Sequence, residues 1–181
     1  MKPAASPVSL KVDVSRLPAK GVVVKLEADA AQRAALAGKH GLAAVRAFSL
    51  ELCFSPWKRD GVRVEGSVKA NITQSCIVSL DPVDAAIDEA VSAILVPENS
   101  RLDPQIEDGE ILLDAEGEDA PDTFSGNRID AGTLAEEFFA LAIDPYPRRK
   151  DAELPENAGN NDPEETAEAP FAKLGALVRK S

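Results

Sequence analysis

Aromatic side chains are scarce in this chain of 181 residues: six Phe, one Trp and one Tyr make up 4% of it. Hydrophobic residues still reach 44%, mostly Ala and Val, so a core is available but a lightly packed one. Histidine occurs once, at His40, and cysteine twice, at Cys53 and Cys76. Two cysteines allow at most one disulfide, and a reducing cytosol disfavours even that. The plain reading is two reduced, partly buried thiols in strand-like segments. A single imidazole and no Cys-x-x-Cys leave no set of zinc ligands, so no metal is expected. Neither GxxxxGK[ST] nor GxGxxG occurs, so no phosphate cradle and no cofactor are expected either. No run of about 18 apolar residues is present, which argues against a membrane span. The opening MKPAASPVSL lacks the apolar centre of a secretory signal, and a cytoplasmic protein is expected.

What the chain has in excess is acid, and it is unevenly placed. Residues 1–97 carry 12 Lys/Arg against 10 Asp/Glu, residues 98–170 carry 5 against 21, and the last 11 residues carry 3 against none. The net charge of −11 therefore sits in the second half. A field of that sign opposes phosphate backbones, whose affinity comes mainly from cations displacing counterions, and favours basic protein partners. The same charge could also serve solubility alone.

Periodicity places most elements. Val8, Leu10, Val12 and Val14 alternate with polar residues as a first strand, and Val22, Val24 and Leu26 as a second. Asp29 with Gln32 forms a capping box that opens an Ala-rich helix to about Leu36, with Gly38-Lys39-His40-Gly41 as a linker. Phe48, Leu50, Leu52 and Phe54 share one face of a third strand reaching Trp57. Lys58-Arg59-Asp60-Gly61 supplies a hairpin turn, with Gly61 at the positive φ. The return strand runs from Val62 to Thr73. Between Val83 and Leu95, the spacing i, i+3, i+4, i+7 fits a helix, while Ile87, Val91, Ala93 and Leu95 fit one face of a strand. Ile111–Leu113 reads as a short strand, and residues 115–127 as an exposed loop. Thr133 with Glu136 reads as a second capping box, for a helix with Leu134, Phe138 and Leu141 on one face. Pro145 and Pro147 stop it. Residues 151–168 hold seven acidic and no basic side chains and are expected to be disordered. Phe171, Leu174, Leu177 and Val178 make the end of the chain a short amphipathic segment.

Few of these residues combine into chemistry. A nucleophile at Cys76 would need His40 as its base, and nothing in the sequence brings the two together. Glu136 and Glu137 are adjacent on one helix and diverge by about 100°, so they make a poor acid/base pair. Arg148-Arg149-Lys150 is a small cationic cluster that fits a solvated turn better than an RNA contact.

Four groups of residues carry a resemblance. They are Val64-Glu65-Gly66 leading to Gln74-Ser75-Cys76 and Leu80-Asp81-Pro82; Ile129-Asp130-Ala131-Gly132 into Leu134-Ala135-Glu136-Glu137; Asp144-Pro145-Tyr146-Pro147-Arg148; and Pro170-Phe171-Ala172-Lys173-Leu174. Their order and spacing resemble the YceD family of large ribosomal RNA subunit accumulation proteins, from about residue 45 onward. The family-motif positions are then Gly66, Cys76, Leu80, Pro82, Asp130, Leu134, Glu137, Pro145 and Pro147. The resemblance implies a bacterial cytoplasmic ribosome-biogenesis factor without enzymatic activity, so no catalytic residue is expected. It also favours a strand over residues 83–96. Many relatives carry a second cysteine three residues after the first, where this chain has Ser79.

The expected fold is α+β: an antiparallel sheet, open or barrel-like, with flanking helices. The expected domain is 1–150, followed by an acidic disordered linker over 151–169 and an amphipathic segment over 170–181. The expected function is non-enzymatic support of large-subunit rRNA accumulation or processing. The expected partner is a basic ribosomal protein or an assembly factor, bound by the acidic region from Glu98 to Glu168. Two alternatives stand beside it: direct rRNA binding through the hairpin cations Lys58, Arg59, Arg63 and Lys69, and a Cys76-dependent enzyme.

Overall fold

Apolar alternation in the middle of the chain sets the architecture of the computed structural model, which describes residues 6–98, 100 and 121–152. Three long strands, β3 (Ala44–Trp57), β4 (Gly61–Ser75) and β5 (Pro82–Pro97), form an antiparallel meander. Most of their buried apolar residues keep one parity: Phe48, Leu50, Leu52 and Phe54 on β3; Val62, Val64, Val68, Ala70 and Ile72 on β4; Ile87, Val91 and Leu95 on β5, with Val96 buried out of phase. β2 (Val22–Glu27) pairs antiparallel with β3, and β6 (Asp122–Phe124) pairs parallel with the end of β5. The strand order is β2-β3-β4-β5-β6. Among the described residues this mixed sheet stays open, with β2 and β6 as its ends, and does not close into a barrel.

A two-stranded ribbon of β1 (Lys11–Asp13) and β7 (Arg128–Asp130) and two helices complete the fold: α1 (Ala30–His40) and α2 (Ala131–Ala142). α1 packs on β3, and α2 on β5 and β4. Leu36, Val12, Ile129, Leu134 and Phe139 thereby join the sheet residues in one core. Phe139 meets Phe48 edge to face, with ring centroids 5.4 Å apart. With so few aromatics, that contact is a main source of core volume.

Several expectations change. α1 starts at the Asp29–Gln32 capping box as expected but continues through Gly38, Lys39 and His40, and it ends at Gly41 with φ 65°. Lys39 suits that last turn because a cation there offsets the helix dipole. α2 is capped by Asp130 rather than Thr133. The Asp130 carboxylate accepts from the N–H of Gly132 at 3.1 Å and of Thr133 at 3.2 Å. The helix therefore begins earlier, and its buried face is Leu134, Ala135 and Phe139, while Leu141 is 85% exposed. At the hairpin turn the positive φ falls on Lys58 (51°) and not on Gly61. Gly61 is needed for room instead: a Cβ there would lie 2.6 Å from the Trp57 ring.

Residues 82–97 form a strand because pairing with β4 continues from Val62↔Leu95 to Ser75↔Pro82, which outweighs the helical spacing. The loop expected over 115–127 contains β6. One extra residue near Arg46 shifts the register of β3 and reconciles buried Val45 with buried Phe48. The strand expected at Ile111–Leu113 and the amphipathic segment lie outside the described residues. So does the acidic tail except Asp151 and Ala152.

Gly66 lies opposite Leu52 in the centre of the meander. A Cβ at Gly66 would stand 2.0 Å from the Glu51 carbonyl oxygen, whereas one at Gly38 meets nothing within 4 Å. Gly66→Ala is therefore expected to lower stability by about 2 kcal/mol or more, because backbone must move. Gly38→Ala, in the exposed last turn of α1, is expected to raise it by roughly 0.5–1 kcal/mol. Urea-unfolding midpoints of the two variants check both signs, and a neutral Gly66→Ala would refute the close approach.

Candidate functional site

The connection from β4 to β5 is a built corner. The Cys76 N–H donates to the Asp81 carbonyl at 2.8 Å, and the Leu80 N–H donates to the Cys76 carbonyl at 2.9 Å. Leu80 takes a left-handed φ of 62°. The segment after α2 closes on this turn. The Ile77 N–H donates to the Pro147 carbonyl at 2.9 Å, and the Gln74 amide to the Asp144 carbonyl at 2.8 Å. The Arg149 guanidinium meets the Asp81 carboxylate at 3.1 Å. Two stretches some seventy residues apart in sequence thus hold each other.

Cys76 sits at the centre of that corner, fully buried. Its sulfur accepts from the Ser79 hydroxyl, from the N–H groups of Ser79 and Arg149, and from Val78; together they outweigh burial and bring the thiol from 9.0 down to about 6. Ser79, standing where many relatives are expected to carry a second cysteine, is the leading donor. Around this buried centre the surface is apolar: Ile77 is 54%, Leu80 77% and Tyr146 73% exposed. A left-handed backbone at a non-glycine residue costs about 1–2 kcal/mol, and Leu80, 77% exposed, returns little of that by burial.

Gly66, Asp130, Leu134 and Glu137 lie away from the corner. Asp130 ties three elements together, accepting from the Leu10 N–H at 2.9 Å and the Ser9 hydroxyl at 2.5 Å besides capping α2. Burial pushes its carboxyl up, but the hydrogen bonds from Ser9, Leu10, Thr133 and Gly132 prevail and hold it below its ordinary value. Leu134 is core. Glu137 faces outward on α2, where partial burial and the charges of Asp122 and Glu136 push its carboxyl up. Pro82 opens β5, Pro147 is buried and Pro145 is exposed.

The hairpin cations do not form one free face. Lys69 is paired with Asp88 at 3.1 Å and Arg63 with Glu65 at 3.9 Å. The Lys58 ammonium lies over Trp57, 4.0 Å from the ring centroid. Arg59 instead borders a cavity beside the turn.

Sequence reasoning missed the buried Glu136, 4% exposed, which accepts from Lys39 and His40 at 2.8 Å each. Burial raises its carboxyl, but Lys39, Ser6 and His40 prevail and lower it. His40 also stacks edge to face on Phe139, and it is held there rather than at Cys76. In sequence Glu136 reads as the capping-box partner of Thr133, and only with Asp130 as the cap does it turn inward. Among the described residues no group of three or more His, Cys, Asp or Glu could hold a metal ion, and no helix is long and apolar enough to cross a membrane.

Compared with known proteins, residues 64–178 match the family model described as large ribosomal RNA subunit accumulation protein YceD. No curated protein and no solved structure matches the chain.

The corner makes a prediction about Cys76. Because the folded thiol ionises near 6 and the ordinary value is 9.0, the unfolded chain holds a proton between these values that the folded chain has lost. Stability from this group is therefore full above about pH 9 and is lost as pH falls toward 6. Urea unfolding of the native chain at a series of pH values is expected to show this gain, and Cys76→Ser to lack it. Parallel pH profiles for the two proteins would refute the donor set.

Proposed function

The chain belongs to the family of large ribosomal RNA subunit accumulation proteins, and on that premise we propose that it acts in ribosome biogenesis by binding a basic protein of the large subunit or its assembly machinery. The family name itself implies a role in large-subunit rRNA accumulation. The observation that carries the finer reading is charge. The matched residues 64–178 hold 7 Lys/Arg against 26 Asp/Glu. Free ribosomal proteins of high positive charge bind RNA indiscriminately, and an acidic partner of this size screens them until they are placed. The exposed Ile77, Leu80 and Tyr146 supply uncharged contact area of the kind that fixes such an encounter in one orientation. No catalytic step enters this reading.

A chain lacking residues 151–170, with the carboxylates of 98–122 changed to amides, is expected to bind purified basic large-subunit ribosomal proteins at least about tenfold more weakly at low salt, since the attraction is electrostatic. Cells carrying it in place of the native gene are expected to hold less large-subunit rRNA relative to small-subunit rRNA. Native-like binding by that variant would sink the proposal.

A further inference from the structure

At the end of β4 remote from Cys76, the β3–β4 turn borders a cavity of about 430 Å³. One wall is the loop between β1 and β2, carrying Arg16 and Leu17. The other is the turn itself, carrying Arg59, with Phe124 of β6 and Pro97 of β5 between them. The β1–β2 wall is fixed by local bonds. The Asp13 carboxylate accepts from the Ser15 N–H at 2.9 Å and from its hydroxyl at 2.6 Å, and the Gly21 N–H donates to the Pro18 carbonyl at 2.8 Å. Across the floor the Val14 N–H donates to the Asn127 carbonyl at 2.9 Å.

Two guanidinium groups border this cavity, and neither is matched by a carboxylate as several other cations of the described surface are. Lys25, Arg46, Lys69 and Arg149 each lie within 3.1 Å of a carboxylate oxygen. Among the described residues, neither Arg16 nor Arg59 is held in such a pair. Both are exposed, and they border the same cavity from elements more than forty residues apart in sequence. The one carboxylate at the cavity, Asp60, accepts from the Ser100 hydroxyl at 3.1 Å. Lys58, held over Trp57, adds a cation just outside.

We propose that this cavity takes one nucleotide of a single-stranded RNA, with a phosphate held by Arg16 and Arg59 and the base against Phe124 and Leu17. Paired guanidinium groups recognise phosphate oxygens in the fork geometry that ammonium groups lack. The volume lies in the range of small-ligand sites, and an apolar wall beside the cations suits an unstacked base. A duplex keeps its bases stacked inside and offers only its outer backbone, so it cannot fill the cavity. The choice of RNA as the polymer rests on the family reading; the nucleotide-sized, cation-bordered cavity does not. The two readings are tested on different residues and different ligands, so they fail separately.

The test is fluorescence anisotropy of the full chain with a labelled single-stranded oligoribonucleotide over a series of salt concentrations, with a free nucleoside monophosphate as competitor. Arg16→Gln and Arg59→Gln are each expected to weaken binding about tenfold, since one charge-assisted contact is lost. Each is also expected to reduce the salt slope by about 0.7, the value for one phosphate on a single strand. Lys69→Gln, whose ammonium is engaged by Asp88, is expected to leave affinity within about twofold. Thermal melts matching the native chain confirm that these exposed changes leave the fold intact. The proposal is overturned if the oligonucleotide is not bound at low salt, if both arginine variants bind as tightly as the native chain, or if only the free mononucleotide binds.

Discussion

The register between β3 and β4 is the constraint on which the rest depends. Leu50 opposite Val68 and Phe54 opposite Val64 put the buried leucines, phenylalanines and valines at the centre of the hairpin on one face. A slip of one residue would send that whole set to solvent. β4 in turn templates β5, and β3 templates β2, so the sheet grows outward from a single pairing. Gly66 marks how tightly that pairing is drawn, since no side chain fits between it and the Glu51 carbonyl.

One face of the sheet is closed by α1, α2 and the β1–β7 ribbon, and the other is covered by short polar side chains and ion pairs. Lys25–Glu51 and Lys69–Asp88 are exposed, so each adds little to stability. Their consequence is electrostatic: they cancel cations in the middle of the open face. Arg16 and Arg59, without such a pair among the described residues, border the cavity at the turn end. The buried Glu136 plays the opposite part, using its charge to join the end of α1 to α2 through Lys39 and His40.

A strand of fifteen residues spans roughly 50 Å at about 3.4 Å per residue. β4 thus keeps two unlike surfaces apart: the apolar corner over Cys76 at one end and the cation-bordered cavity at the other. Both surfaces are made from connections between elements, where the chain is free of the sheet's alternation and can present apolar or charged groups outward.

The sequence by itself determined the hairpin, the parity of its core residues, the Asp29 cap and the family, because each is written in neighbouring residues or in fixed spacing. The strand over residues 82–97 was ambiguous in its own pattern, and pairing with β4 decided it. The cap of α2 was misplaced because Asp130 and Thr133 are both good capping residues, and only the approach of Ser9 and Leu10 selects Asp130. Glycines told the same story: Gly61 and Gly66 are readable as glycines, but the neighbour that forbids a side chain is not. The corner at Cys76 and the meeting of Arg16 and Arg59 at one cavity belong wholly to the tertiary structure. They unite residues tens of positions apart, and no local propensity encodes which distant backbone amide will reach a given sulfur or which two loops will share a wall.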